Sequence, residues 1–463
     1  MGDQRQRRLR VGIIGSGIAG AVSAYHVRQH FGPEADVLVL EREPRVGGRV
    51  AETTVAGLRV ETGATLIHSS NREVVGAVER LGLRLKGGAL DGRGRSAAPK
   101  RRVGIWDGRR IILEPGGGAI TLVRMLGRYG PSLVRAQRAT REMVQSLSRV
   151  YEDLARGEAF DSPEALLRHL RLYDLTQVDA YTFFRRRGIG ERFAREVSDP
   201  IARANYNQDG RMNALVTLVS LAGGGLGGGH LFAVAEGNLR VIEGLLERAG
   251  ADVRTGDPVR RVDAVSGHGA AGDGHAAGRT GGGDQASPGA YRLVTASGTV
   301  EVCHAVILAV PLEFADLEFG GIDLPAAAQV RRPYQKTYTT LVAGRLRPEF
   351  FGWHHQAGGA PRGGNTGADT AAPAPAYVIL TMERDDLPLS ALGWQGPTPD
   401  GRLAVYRVFS REPLEDELLD RLRGEPGVVE DVIGEGLGLR RHARWDGRPP
   451  AEQGRAQLPG GRP

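Results

Sequence analysis

The stretch from Arg10 to Arg49, RVGIIGSGIAGAVSAYHVRQHFGPEADVLVLEREPRVGGR, restricts the fold more than any other part of the chain. An apolar run from Val11 to Ile14 meets Gly15-Ser16-Gly17-Ile18-Ala19-Gly20. A small-residue segment of helical composition continues to about Gln29, and a second apolar run, Asp36 to Leu40, ends on Glu41. Strand, glycine turn, helix, strand and acid in that order predict the first βαβ unit of a dinucleotide-binding domain. Gly15 permits the tight exit from the strand and Gly17 lets backbone N–H groups approach a pyrophosphate. Gly20, with Ala24 one turn on, lets the helix lie close to the sheet. The anion then sits at the positive end of the helix. Glu41 stands 21 residues after Gly20, where a carboxylate accepts hydrogen bonds from ribose hydroxyls and favours an adenosine without a 2′-phosphate.

The continuation Val46-Gly47-Gly48-Arg49 resembles the second phosphate-contacting turn of the flavin amine oxidase and phytoene desaturase group. In that group the arginine lies near the flavin side of the cofactor, so the resemblance implies FAD rather than NAD. Glu61-Thr62-Gly63-Ala64 then matches the element that brings backbone close to the flavin ring and ribityl chain in the same group.

At 463 residues, 41% hydrophobic and 25% charged, the chain is long enough for two domains with substantial cores. The formal charge of +7 comes from arginines scattered along the chain, with clusters at Arg5 to Arg10 and Arg93 to Arg110. No aromatic-interleaved basic stripe accompanies them, so no nucleic-acid partner is expected. The single cysteine, Cys303, excludes an internal disulfide and lies in an apolar run, which predicts a buried small residue. No metal-ligand spacing occurs among the histidines. The opening MGDQRQRRLR has no apolar segment expected of a signal peptide, and Gln6 breaks a myristoylation pattern. Met212 to Ala235 is the long uncharged stretch, but six glycines from Gly223 to Gly229 predict a short helix and a loop rather than a membrane span.

Beyond the first unit, residues 88–102 read as a loop, and Trp106-Asp107-Gly108 as a turn between short strands. Leu133, Ala136, Met143, Leu147, Val150 and Leu154 keep helical spacing from Pro131 to Ala155, a stripe that predicts core or one wall of an apolar pocket. Helices are expected from Ser162 to Leu172 and Thr176 to Ile189, and a surface turn at Arg203 to Gln208. A further helix opens after Ala235-Glu236-Gly237-Asn238-Leu239 and leads to Asp252-Val253. Residues 266–290 read as a flexible insertion, Tyr291 to Val302 and His304 to Pro311 as strands, and Val330 to Gly344 and Ala376 to Met382 as strands of a second sheet, separated by a loop at 357–375. The fold class is α/β: an FAD/NAD(P)-binding Rossmann-like domain with an interleaved α+β substrate domain. The cofactor domain is expected at 10–87 and 230–312, and the substrate domain at 88–229 and 313–422.

The segments HFGPEADVLVLEREPRVGGR, ETGATLIHSSN, RYGPSLVRAQR, RANYNQD, FAVAEGNLRVIEGLL, YQKTYTTLVAGRL and YRVFSREPL, in this order, resemble the prenylcysteine oxidase (prenylcysteine or farnesylcysteine lyase) family from about Val11 to Leu422. The resemblance implies an FAD-dependent thioether oxidase that uses O₂ to convert S-prenylcysteine to cysteine, an isoprenoid aldehyde and hydrogen peroxide. Hydride leaves the prenyl C1, the sulfur-stabilised cation takes up water, and the hemithioacetal collapses. It also implies a lysosomal or vacuolar setting and allows peripheral membrane contact.

Carried over by position, Gly15, Gly17, Gly20, Glu41, Gly47, Gly48, Arg49, Gly63 and Ala64 would bind FAD, with Val253 at the adenine. His68 and Tyr206 are the catalytic candidates, and Arg203 and Gln208 the substrate-binding ones. After Leu422 the chain departs from the family pattern: residues 423–463 are rich in Arg, Gly and Pro and are expected to be disordered or aberrant, without the family's flavin-covering segment. Two other readings stand beside the first: a different amine-oxidase-like flavoenzyme, for which Lys336 is the candidate water-orienting lysine, and an inactive truncated descendant.

Overall fold

A computed structural model describes residues 8–87, 102–114, 119–265, 289–331, 333–352, 377–423, 428–435 and 438–444. The expected loops at 88–101, 266–288 and 357–375 lie outside these residues.

The apolar runs around the glycine turn form strand β1 (Arg10–Ile14) and strand β2 (Asp36–Leu40), joined by helix α1 (Ile18–Phe31). They make the centre of a four-stranded parallel sheet in the order Asp252–Arg254, β2, β1, Ala305–Leu308. A parallel sheet is covered on both faces, which is why these strands are almost continuously apolar. Ala21, Ala24 and Val27 of α1 pack with Val241, Ile242 and Leu245 of the helix Leu239–Ala249 on one face. Burying each large aliphatic side chain there contributes about 1.5–3 kcal/mol. On the other face Ile14, Leu38 and Leu40 meet Val262, Leu293 and Cys303 of a second sheet, so Cys303 is the buried small residue expected of it.

A second part of the molecule joins an eight-stranded sheet to a helical layer. Early residues Arg102–Trp106 pair in parallel with late residues Tyr377–Thr381, and Leu389–Pro397, Ala404–Ser410 and Thr337–Gly344 follow in antiparallel order. The helices Pro131–Ser148, Ala180–Arg186, Asp199–Tyr206 and Ala214–Gly223 pack together around Phe184, Phe193 and Leu218. The glycine-rich stretch therefore ends a ten-residue helix, as expected. Among the described residues no helix is long and apolar enough to cross a membrane.

Three local expectations change. The region 162–189 holds three short helices, Pro163–His169, Tyr173–Thr176 and Ala180–Arg186, rather than two; Arg171, with φ of 58°, breaks the first run. Arg203 to Tyr206 closes a buried helix, and only Asn207, left-handed at φ 57°, makes the turn. The disorder expected from 423 onward is overturned at 428–435 and 438–444. Val428–Glu435 pairs antiparallel with Thr337–Gly344, and Gly438–Arg444 pairs with it in turn. The run Val428-Val429-Glu430-Asp431-Val432-Ile433 carries enough β-branched residues for a strand, a signal hidden by the Arg/Gly/Pro composition after it. Residues 445–463 lie outside the description.

Candidate active site

The first turn of α1 faces a cleft of about 240 Å³ lined by Gly15, Gly17, Ile18, Glu41, Gly47 and Gly48, with Arg49 at its edge. Gly17 caps the helix with no side-chain hydrogen bond, leaving the first amides available. A methyl group built on Gly17 would meet no protein atom within 4 Å. At Gly20 the same methyl would stand 1.9 Å from the carbonyl oxygen of Gly15, so only glycine allows the helix to leave the turn there. The second glycine turn presses on the first, with the Gly47 N–H donating to the Ser16 carbonyl at 3.1 Å.

Glu41 is buried and does more than the sequence suggests. Its Oε2 accepts from the Ser16 N–H at 2.8 Å and the Ser16 hydroxyl at 2.7 Å, while Oε1 accepts from the Glu43 N–H at 3.0 Å. The carboxylate thus locks the glycine turn to the end of β2 and still borders the cleft. Open helix amides, an open glycine surface and an acid at the ribose position fit a dinucleotide with an anionic pyrophosphate.

Val253 is not part of this cleft. It sits in the strand beside β2, half-buried among Val11, Val39 and Leu246, and the wall facing Glu41 is made by Pro258, Val259 and Arg260. The residue after it, Arg254, accepts from the Glu41 N–H through its carbonyl at 2.8 Å, so the end of this strand lies against Glu41.

Gly63 and Ala64 line a second space. A side chain on Gly63 would stand 2.0 Å from the Arg49 carbonyl oxygen, so only glycine packs against the backbone there. That cavity, of about 920 Å³, lies between the helical layer and one face of the eight-stranded sheet. Met143, Val144, Leu147, Ile201 and Val219 line it from the helices, so the helical stripe serves both core and cavity. Glu52, Arg59, Glu61, Lys86 and Arg407 are the charged residues of its lining.

The charged part of the lining is built around the loop 61–65. Asn238 donates its N–H to Glu61 Oε1 at 2.7 Å and its Nδ2 to the Ala64 carbonyl at 2.8 Å. Arg407 donates from Nη1 to the Glu61 carbonyl at 3.0 Å and to the Thr65 hydroxyl at 2.5 Å. Burial pushes the Glu61 carboxyl above its ordinary range, while Arg407 and Lys86 draw it down. Burial lowers the Arg407 guanidinium to about 10, against the pull of Glu61, leaving it cationic at neutral pH.

The four catalytic and substrate candidates separate. Tyr206 lines the cavity, and burial raises its phenol. His68 lines it too, but both ring nitrogens are engaged: Nε2–H donates to the Gly228 carbonyl at 2.8 Å and Nδ1 accepts from the Ser70 N–H at 3.1 Å. Both ring nitrogens are thereby engaged, and the ring holds the 228–230 loop. Arg203 is 1% exposed and lies outside the cavity wall. It pairs with Glu383 and donates to Thr381 Oγ1 at 3.1 Å, tying the helix Asp199–Tyr206 to the sheet. Gln208 is half-buried and borders neither space, and Lys336 is exposed ahead of Thr337–Gly344. Sequence reasoning missed Arg407, Phe409 and Gln395, which alternate on strands; YRVFSREPL held the signal for the first two as an Arg two residues before a Phe.

A glycine-turn cleft that fits a dinucleotide and a second, larger cavity on the same fold fit an FAD-dependent oxidoreductase. A family model described as prenylcysteine lyase matches residues 117–432, and one for an NAD(P)-binding Rossmann-like domain matches 13–81. The chain belongs to the prenylcysteine lyase family. Farnesylcysteine lyase of Arabidopsis thaliana is 27% identical over 429 residues, 89% of this chain and 75% of that one. Human prenylcysteine oxidase 1 is 27% identical over 426 residues, 88% and 75% of the two chains. Among solved structures, a triple mutant of putrescine oxidase superimposes with a TM-score of 0.56 at 15% identity, covering 89% of this chain and 79% of that one. Cyclohexylamine oxidase from Brevibacterium oxydans gives 0.55 at 14% identity, covering 92% and 85%. These two likenesses establish the shared fold.

Proposed function

We propose that this chain oxidises S-prenyl-L-cysteine, consuming one O₂ and one water and releasing cysteine, a prenyl aldehyde and hydrogen peroxide. The observation that carries this reading is the cavity of about 920 Å³, lined both by apolar side chains of the helices such as Met143, Leu147 and Val219 and by the charged Glu61 and Arg407. A thioether bearing an isoprenoid chain on one side and an amino acid on the other matches that division. The names of the Arabidopsis and human relatives point to the same substrate class.

FAD, when bound, supplies the two-electron acceptor for the carbon beside sulfur and passes the electrons to O₂. The protein's own residues bind and orient. The α1 amides, Glu41 and the Gly47-Gly48 turn hold the dinucleotide, and the Gly63-Ala64 backbone keeps the cavity wall thin enough for close approach. The apolar wall excludes water from the lipid chain, while the charged lining admits the water needed to release the aldehyde. Tyr206 closes one side of this space as a positioning residue. Peripheral contact with a membrane, the source of such a lipid, is supported by Val123 and Val134, 67% and 54% exposed on neighbouring helices beside Arg124 and Arg135.

The test is anaerobic mixing of the flavin-loaded protein with S-farnesyl-L-cysteine, followed by air. Bleaching of the visible flavin band, then farnesal and peroxide in equal amounts, is expected. A protein that stays colourless after incubation with FAD, or one whose flavin is bleached by putrescine and not by the thioether, overturns the proposal.

A further inference from the structure

A cation taken out of water normally finds a carboxylate, because burying it unpaired is costly. The three cations in the lining of the large cavity differ in this respect. Arg59 lies 3.5 Å from Glu52 and donates to the Glu236 carbonyl at 2.9 Å, with 55% of its side chain exposed, and Lys86 is exposed as well. Water screens both. Arg407 is half-buried on the strand Ala404–Ser410, and among the described residues no carboxylate stands within 4.0 Å of it. Neutral groups hold it instead. Its Nη1 donates to the Glu61 carbonyl at 3.0 Å, the Gly63 carbonyl at 3.4 Å and the Thr65 hydroxyl at 2.5 Å, and its guanidinium carbon lies 4.9 Å from the Phe409 ring centre. The Glu61 carboxylate acts on Arg407 through space without pairing with it, its Oε1 being taken by the Asn238 N–H. A positive charge is thus fixed on the loop 61–65.

That loop packs on the wall of the cofactor cleft. A side chain on Gly63 would stand 2.0 Å from the Arg49 carbonyl oxygen, and Arg49 lines the cleft together with Glu41 and the first turn of α1. With the adenosine ribose at Glu41 and the pyrophosphate at the α1 amides, the flavin half of FAD continues past the turn Gly48-Arg49 toward the loop that Arg407 braces. We propose that Arg407 sets the electron affinity of the bound flavin, its charge stabilising the negative charge that reduction adds. FAD that has gained two electrons and one proton carries one more negative charge than oxidised FAD. O₂, departing as hydrogen peroxide with two electrons and two protons, removes it. A fixed cation beside the ring favours the reduced form and so draws electrons from the substrate. This role rests on FAD as the cofactor and on nothing about the electron donor, so it stands whichever substrate supplies the electrons.

The experiment measures the two-electron reduction potential of flavin-loaded wild type, Arg407→Gln, Arg407→Lys and Glu61→Gln at pH 8. The proteins are reduced without air beside reference dyes and read in the visible spectrum, with no substrate present. A tenfold change in the reduction equilibrium is about 30 mV for a two-electron couple. Arg407→Gln keeps an amide donor for the loop but loses the charge, and its potential falls by about 30 mV or more. Arg407→Lys keeps the charge and stays within about threefold of wild type, or about 15 mV. Glu61→Gln removes the opposing charge, and its potential rises. Equal potentials for wild type and Arg407→Gln overturn the proposal. So does an equal fall in the Gln and Lys variants, which lost packing would produce. Where Arg407→Gln retains no flavin, Glu61→Gln decides: a rise supports the role, and an unchanged or lower potential overturns it. A wild type that takes up no FAD overturns the cofactor assignment beneath it instead.

Discussion

The cofactor cleft and the substrate cavity are built on opposite plans. The cleft takes its decisive groups from one stretch of 40 residues and presents mostly backbone: helix amides, two glycine turns and one carboxylate locked to Ser16. The cavity gathers side chains from the loop 61–65, the helix Pro131–Ser148, the helix Ala214–Gly223 and three strands between Tyr377 and Ser410. Backbone recognition needs specific residues that lack side chains, so it tolerates almost no substitution at those points. Recognition by a wall of side chains needs only size and polarity, so it can be re-cut for another substrate on the same fold.

The largest effect should come from Gly20→Val. The added carbon meets the Gly15 carbonyl, which is backbone and cannot move aside, so we expect loss of cooperative unfolding and of soluble protein. Gly17→Val, three residues earlier, meets nothing in the protein. We expect the apoprotein to melt within about 2 °C of wild type while flavin retention, read from the visible absorbance, falls about tenfold. If both variants behave alike, the cleft is not an open cradle.

Arg203→Met breaks the other region's framework. It leaves Glu383 buried with Arg411 alone and removes the tie between helix and sheet, a loss of about 3–5 kcal/mol in urea unfolding. Flavin retention per folded molecule should be little changed; a proportionate loss of flavin would place Arg203 closer to the site than its packing does.

A smaller effect is tied to pH. Asp199 is fully buried, and burial raises its carboxyl from 3.8 to about 6, with Tyr181 donating to it at 2.8 Å. Because the folded state holds this proton more tightly, the associated stability is complete below about pH 4 and is lost as pH rises through 6, on the order of 3 kcal/mol. Asp199→Asn should flatten the melting temperature between those pH values. An unchanged slope would mean that the group ionises freely.

Smallest is Leu147→Trp in the apolar wall of the cavity, expected to lower kcat/KM for geranylgeranyl- relative to farnesylcysteine about tenfold with flavin binding untouched. Equal losses for both chains would move the lipid elsewhere.

This division also explains what could be read from the amino-acid order. Gly15 to Glu41 was legible because strand, turn, helix and acid are contiguous, and the backbone adopts what each residue allows. Arg203 misled because a polar residue in a polar run reads as surface, whereas its partner Glu383 is 180 residues away and converts it into an internal strut. Arg407 was missed for the same reason as Arg203: its meaning comes from Glu61 and Thr65, some 340 positions earlier. The paired strands after residue 427 were missed because composition averages over a window that runs into the arginine-rich end.

The parallel register between Val11 and Ala305 has a consequence for biosynthesis. The neighbour of β1 in the sheet is encoded 294 residues downstream, and Arg10 and His304 are bonded across the same gap. At about 5–20 residues per second, one edge of the first strand waits roughly 15–60 s on the ribosome for its partner. During that interval an apolar β-edge is exposed to every other nascent chain, so yield in a heterologous host should depend on chaperone supply and on the speed of translation more than on the stability of the finished molecule.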